Sequence, residues 1–260
     1  MSQAEQSTQV PANLSATETL FEAMIGGQRV SRFVSDGLDH LAVETATPVR
    51  SFVSWKGKRN YEGRYFSVTT GGHVIFESLL ERDYLITVDA DPAVHVVAAQ
   101  PFLLIWPRGT AGGKFHYPDF FIRLRDGSAR VVDVRHPDRV EAAEKQFVMT
   151  REVCERQGWA YEVWTGLPPV NMANLRWLHG FRLDRFAPDD VLRRTILDSF
   201  SPGTELAPGL RRAVRASGAD KDLVHAAILH LIFFGALSVD LDQPLSMDSH
   251  ITPAEAPCAS

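Results

Sequence analysis

The stretch Ala129-Arg-Val-Val-Asp133-Val-Arg135 sets a carboxylate among valines. The apolar run reads as a strand, and residues two apart share a strand face, so Asp133 and Arg135 point the same way, along with Val131. An unpaired buried carboxylate is costly, so Asp133 requires a base, a hydrogen-bond donor or a metal ion beside it. Upstream, Tyr117-Pro-Asp119-Phe-Phe precedes Arg125-Asp-Gly127, a hairpin-turn signal that brings Asp119 level with the far end of the Asp133 strand. A third acid, Glu81 or Glu77 one helical turn away, lies on a segment read as a helix over 74–85. Carboxylates from a helix and two paired strands make an oxygen-rich pocket suited to Mg²⁺. Each acid also has a plainer reading. Asp133 would pair with Arg135 or Arg123, Asp119 would enter a turn, and the glutamates would lie on a solvated face beside Arg82.

Other residues carry weaker chemistry. Lys56, Lys58, Arg59 and Arg64 are interleaved with Trp55, Tyr61 and Tyr65. That mixture suits phosphate contacts and base stacking, or equally a solvated face. Among these, Lys56, Lys58, Arg59, Tyr61 and Arg64 are taken as DNA-binding candidates. Histidines 73, 95, 116 and 136 lack the close spacing of a zinc site, and Cys154 reads as buried packing.

The elements that must position these residues follow from periodicity. Residues 1–16 are expected to be a flexible leader, followed by a short helix over 16–24 that Gly26-Gly27 ends, and a helical face over 28–47. Strands are expected at 94–98, 101–106, 116–124 and 128–134, then a long amphipathic helix over 138–157, a strand at 159–164 and a helix over 171–178. Helices at 189–199, 205–215 and 221–234, the last capped by Asp220, precede a short hairpin. The division is thus 1–47, an α/β core at 48–182, and a small helical, winged-helix-like domain with a loose tail at 183–260.

Hydrophobic residues make up 45% and charged residues 23%, which excludes wholesale disorder and a coiled-coil rod. No apolar run is long enough to span a membrane, and the polar start is no secretory signal, so a soluble, cytoplasmic protein is expected. Two cysteines are too few for a disulfide framework. The net charge is −5, yet residues 50–182 hold 18 basic against 15 acidic side chains between acidic flanks, a distribution compatible with phosphate contacts in the middle.

The order Glu81, Pro118-Asp119, Asp133-Val-Arg135 resembles the PD-(D/E)xK nuclease signature. More narrowly, the segments 55–61, 76–83, 100–102, 117–121 and 131–135 resemble the TnsA-like endonuclease subunit of heteromeric cut-and-paste transposons. The resemblance covers about 50–182, and such proteins often add a winged-helix-like domain. It implies a restriction-endonuclease-like core with Mg²⁺, or Mn²⁺ in its place, held by Glu81, Asp119 and Asp133. It implies hydrolysis of one strand at each transposon end beside a DDE-type transposase and an AAA+ regulator. One residue departs from the signature: Arg135 stands where a Lys is usual. Arg135 serves as a charge clamp, or Lys145 supplies the amine, or the site binds DNA and cuts poorly. The alternatives are a catalytically inactive assembly subunit and a stand-alone restriction or repair nuclease.

Overall fold

The amino-terminal segment folds as a hairpin. Strands β1 (Leu20–Ile25) and β2 (Gln28–Phe33) pair antiparallel across Gly26-Gly27, whose φ angles are 59° and 78°. Two consecutive left-handed residues form a turn that suits the twist of a hairpin, and glycine adopts them without a Cβ clash. This corrects the helices expected over 16–24 and 28–47. Leu20, Phe21 and Met24 fit a helical stripe, but the paired glycines fix a two-residue turn instead.

The computed structural model describes residues 18–49, 61–110 and 113–254. The remaining elements are β3 (Ala46–Thr47), β4 (Gly63–Ser67), β5 (Gly72–Phe76), α1 (Leu79–Ala90), β6 (Val94–Ala99) and β7 (Phe102–Ile105). They continue with β8 (Phe115–His116), β9 (Phe120–Leu124), β10 (Ala129–Val134), α2 (Val140–Arg156), β11 (Ala160–Trp164) and α3 (Pro169–Leu178). Last come α4 (Asp190–Asp198), β12 (Thr204–Glu205), α5 (Leu206–Ser217), α6 (Lys221–Phe233), β13 (Leu237–Val239) and β14 (His250–Pro253). The architecture is mixed α/β, with six α-helices among the described residues. None of these helices is long and apolar enough to cross a membrane. The segment expected as a helix from Val74 is a strand through Phe76, and helix α1 starts only after Ser78.

The chain divides into two compact units, each built from separate stretches. The first takes in residues up to Tyr65, His73–Glu81 and Ala93–Thr165. One sheet has the order β2-β1-β7-β8, with β3 also on β1. A second, mixed sheet has the order β11-β10-β9-β6. β10 and β11 run parallel, which requires the crossover that α2 provides. Phe147, Thr150, Val153 and Cys154 form the buried stripe of α2. One apolar cluster joins Phe21, Phe102 and Leu104 of the first sheet, Phe121 and Val131 of the second, and Cys154 and Trp159. Phe121 and Trp159 meet edge to face at 5.3 Å.

The second unit comprises Phe66–Gly72, Arg82–Pro92 and residues from Gly166 onward. Asp83 on α1 accepts from Arg176 Nε on α3 at 3.0 Å and from Arg82 at 3.0 Å, and its other oxygen accepts from Arg176 Nη2. Burial alone would raise the Asp83 pKa, but the two guanidinium groups outweigh it and hold it below the usual range. Asn174 donates to the carbonyls of Leu241 and Gln243 at 2.8 Å each, pinning the loop before β14 to α3. Asp220 caps α6 as expected, accepting from Asp222 N and Leu223 N. The small sheet β12-β14-β13 includes one strand, β12, that was not expected. Gly209 on α5 lies under Phe200; a Cβ there would sit 2.1 Å from the ring.

Candidate active-site cleft

The site is built on the β9–β10 hairpin, in the first unit. Asp119 enters β9 with its N–H donating to Val132 O at 3.1 Å and its carbonyl accepting from Gln100 N at 2.8 Å. Its side chain is tied to the next strand as well, because Oδ2 accepts from Val134 N at 2.7 Å. The hairpin therefore fixes Asp119 beside the end of β10 from both backbone and carboxylate. Gln100, which anchors this corner, is buried and is the one non-glycine with positive φ, 45°, among the described residues.

Glu81 sits in the first turn of α1. Ser78 Oγ accepts from Glu81 N at 3.1 Å and donates to Glu81 Oε1 at 2.9 Å, while Glu77 N donates to Oε2 at 2.7 Å. Ser78-Leu-Leu-Glu81 has capping-box spacing, but the Glu81 carboxylate reaches back to the Glu77 N–H and the Ser78 hydroxyl, so the helix start determines where the carboxylate stands. Glu77 lies before the helix rather than one turn away on its face, yet it lines the same cleft.

That cleft has a volume of about 710 Å³ and is lined by Glu77, Ser78, Glu81, His116, Asp119 and Arg135, and also by His136, Asp138, Arg139 and Gln146. Arg135 N donates to Trp164 O at 2.9 Å, and its guanidinium carbon lies 5.8 Å from the centre of the Phe147 ring. Its Nε is buried and meets no hydrogen-bond acceptor among the described residues.

Asp133 departs from expectation. It is 1% exposed and does not line the cleft. His116 Nε2 approaches its two oxygens at 2.9 and 3.0 Å, and the Tyr161 hydroxyl donates to Oδ2. Arg135 and Arg123 are not its partners: Arg123 pairs with Glu44 at 2.8 Å. The acid is satisfied from β8 and β11, neither of which a local reading of β10 reveals.

The charges of the site act on one another. Burial first, then the neighbouring charges of Asp133 and Glu81, raise the Asp119 pKa well above the ordinary carboxylate range; the Val134 N–H and Arg135 only partly oppose this. Burial, followed by the Asp133 charge, also pushes the Tyr161 phenol and the Cys154 thiol upward, so both stay protonated.

Among the described residues, no three His, Cys, Asp or Glu side chains converge as a group ready to surround a metal ion. The three-carboxylate arrangement is therefore modified. Glu81 and Asp119 face the cleft, whereas the oxygens of Asp133 are turned to His116 and Tyr161. Two carboxylates still suit Mg²⁺, which keeps several waters and commonly takes one or two protein carboxylates plus substrate phosphate. The proton affinity of Asp119 is raised by burial first and then by the charges of Asp133 and Glu81, and a bound cation would offset that second contribution.

The other candidates separate clearly. Lys145 is exposed on α2 and does not reach the cleft lining, although its neighbour Gln146 does. Tyr61 and Arg64 are exposed and stand outside the cleft, while Lys56, Lys58 and Arg59 lie outside the described residues. Sequence reasoning missed three contributors: His116, Tyr161 and Ser78. The Ser-x-x-Glu spacing was a visible cue for Ser78. No family model matches the chain, and no curated protein matches it.

Proposed function

We propose that this chain is a divalent-cation-dependent DNA endonuclease with a PD-(D/E)xK-type core, acting as a strand-cutting subunit of a heteromeric transposase. The observation that carries the reading is the meeting of Glu81 and Asp119 on one cleft with Arg135, at an Asp119 whose proton affinity is raised first by burial and then by its acidic neighbours. In this reading Glu81 and Asp119 hold Mg²⁺. When bound, the ion supplies polarisation of the scissile phosphate and a lower pKa for the attacking water. Arg135 stays protonated, so it holds phosphate charge and takes no proton. Arg139, which lines the same cleft beside Asp138, would add a guanidinium toward the DNA backbone. Within the second unit, the succession α4, β12, α5, α6, β13, β14 supports a winged-helix-like reading of residues 183–260. A DDE-type transposase and an AAA+ regulator are the partners this reading assigns.

The test is nicking of transposon-end DNA by the full chain with Mg²⁺ and the partner transposase. Glu81→Ala and Asp119→Ala are each expected to abolish nicking while DNA binding persists. Nicking at the normal rate by either variant removes that carboxylate from the mechanism.

A second reading rests on Arg135 in the usual Lys position and on the engagement of Asp133. There the fold positions DNA and docks partner proteins without cutting. Calorimetric titration with Mg²⁺ or Mn²⁺ separates the two, because the catalytic reading requires cation binding that Glu81→Ala weakens.

A further inference from the structure

The second unit segregates its charges. On α5, Leu206, Gly209, Leu210 and Ala213 are buried, and Arg211, Arg212 and Arg215 are exposed. On a helix of 3.6 residues per turn the three arginines fall within about 100° of arc, opposite the buried stripe. No acid occurs in this helix. Arg212 is fixed in place, its Nε donating to Ser199 O at 2.9 Å and its Nη2 to Thr204 Oγ1 at 3.2 Å. Arg211 and Arg215, one turn apart, form no ion pair with a carboxylate among the described residues.

The opposite holds for the parts of a winged helix that ordinarily approach DNA. Helix α6 buries eight residues, from Val224 through Phe233, and exposes only Lys221, Asp222 and Leu223 at its start. The connection between β13 and β14 carries exposed Asp240, Asp242 and Asp248. The start of α6 sets one base, Lys221, against one acid, Asp222, and the acids of the connection repel phosphate. In helix-turn-helix docking the last helix enters the groove and the preceding helix crosses the sugar-phosphate backbone. Here only the preceding helix has the charge for its task.

We propose that the α5 arginine face binds the phosphate backbone of duplex DNA without reading its sequence. The choice of DNA over an acidic protein surface rests on the nuclease reading above. Guanidinium groups on a rigid helix suit phosphate because each presents a planar fork of donors, and contacts confined to phosphate carry no base information.

The experiment measures binding of the full chain to a fluorescent random-sequence duplex by anisotropy, in EDTA, across a salt series. Each phosphate contact contributes about 0.9 to the slope of log affinity against log salt. Arg211→Ala with Arg215→Ala is therefore expected to lower the slope by about 2 and weaken binding on the order of tenfold at low salt. Arg211→Lys with Arg215→Lys is expected to keep the slope, and unchanged melting temperatures certify that both variants fold. An unchanged slope in the alanine variant, or no duplex binding by the wild-type chain, overturns the proposal. Mg²⁺-dependent nicking is scored separately. A chain whose slope falls as expected but which never cuts keeps the α5 surface and loses the nuclease reading; one that cuts normally with an unchanged slope does the reverse.

Discussion

His116 Nε2 lies 2.9 and 3.0 Å from the two oxygens of Asp133, and both side chains are at least 95% buried. Removing either one strands the other. Asp133→Ala leaves His116 and the Tyr161 hydroxyl without their acceptor, at a cost of about 3 kcal/mol or more in folding stability. Urea unfolding followed by circular dichroism measures it. A loss below about 1 kcal/mol would show that the pair contributes little. Any loss of cleavage in Asp133→Ala must accordingly be read beside its stability.

Asp119 behaves in the opposite way. Its folded pKa is raised, so the folded state holds its proton more tightly than the unfolded chain does. The sign of linkage then makes stability fall as pH rises from the ordinary carboxylate range through the raised value. Asp119→Asn, which stays neutral, is expected to melt a few degrees higher than wild type at pH 7 in EDTA and to lose nicking. Added Mg²⁺ should narrow the difference by stabilising only the wild type. A lower melting temperature for the variant in EDTA contradicts the raised proton affinity that burial and then the Asp133 and Glu81 charges give Asp119.

Arg135 and Lys145 are separated by their positions. Arg135→Ala is expected to cost about 2–4 kcal/mol of transition-state stabilisation, and Arg135→Lys to retain activity. Lys145→Ala, on an exposed side chain off the cleft, is expected to be silent. Single-turnover cleavage rates decide. A damaging Lys145→Ala would return the amine role to α2.

Acid should loosen the second unit. Burial first, then the Arg182 and Arg82 charges, lowers the His179 pKa to about 4; burial also lowers His225 and His230. Between about pH 6.5 and 4 the unfolded chain therefore binds more protons, and stability falls as pH falls. Hydrogen exchange at pH 7 and pH 5 should show protection lost in α3 and α6, and His179→Gln should flatten the dependence. Equal protection at both values would refute it.

Sequence disclosed the parts governed by local pattern. The Asp126-Gly127 turn, the apolar strands β9 and β10, the amphipathic α2 and the cap at Asp220 all stand where apolar pattern and turn chemistry put them. Three helical readings failed: Leu20, Phe21 and Met24 belong to a strand buried along most of its length, residues 28–33 form its hairpin partner, and Val74–Phe76 continued a helical stripe that Ser78 in fact begins. In the site, the level placement of Asp119 and Asp133 was legible from the hairpin. The direction of the Asp133 carboxylate was not, since it depends on His116 and Tyr161, seventeen residues before it and twenty-eight after it. Long-range polar partners leave no mark in local spacing.

The contact between Gly209 and Phe200 ties two positions into one unit of variation. With a Cβ 2.1 Å from the ring, an alanine at 209 has no room while the phenylalanine remains. A library randomised at 209 alone should return glycine almost exclusively. One randomised at both positions should recover alanine or serine at 209, paired with leucine or a smaller residue at 200.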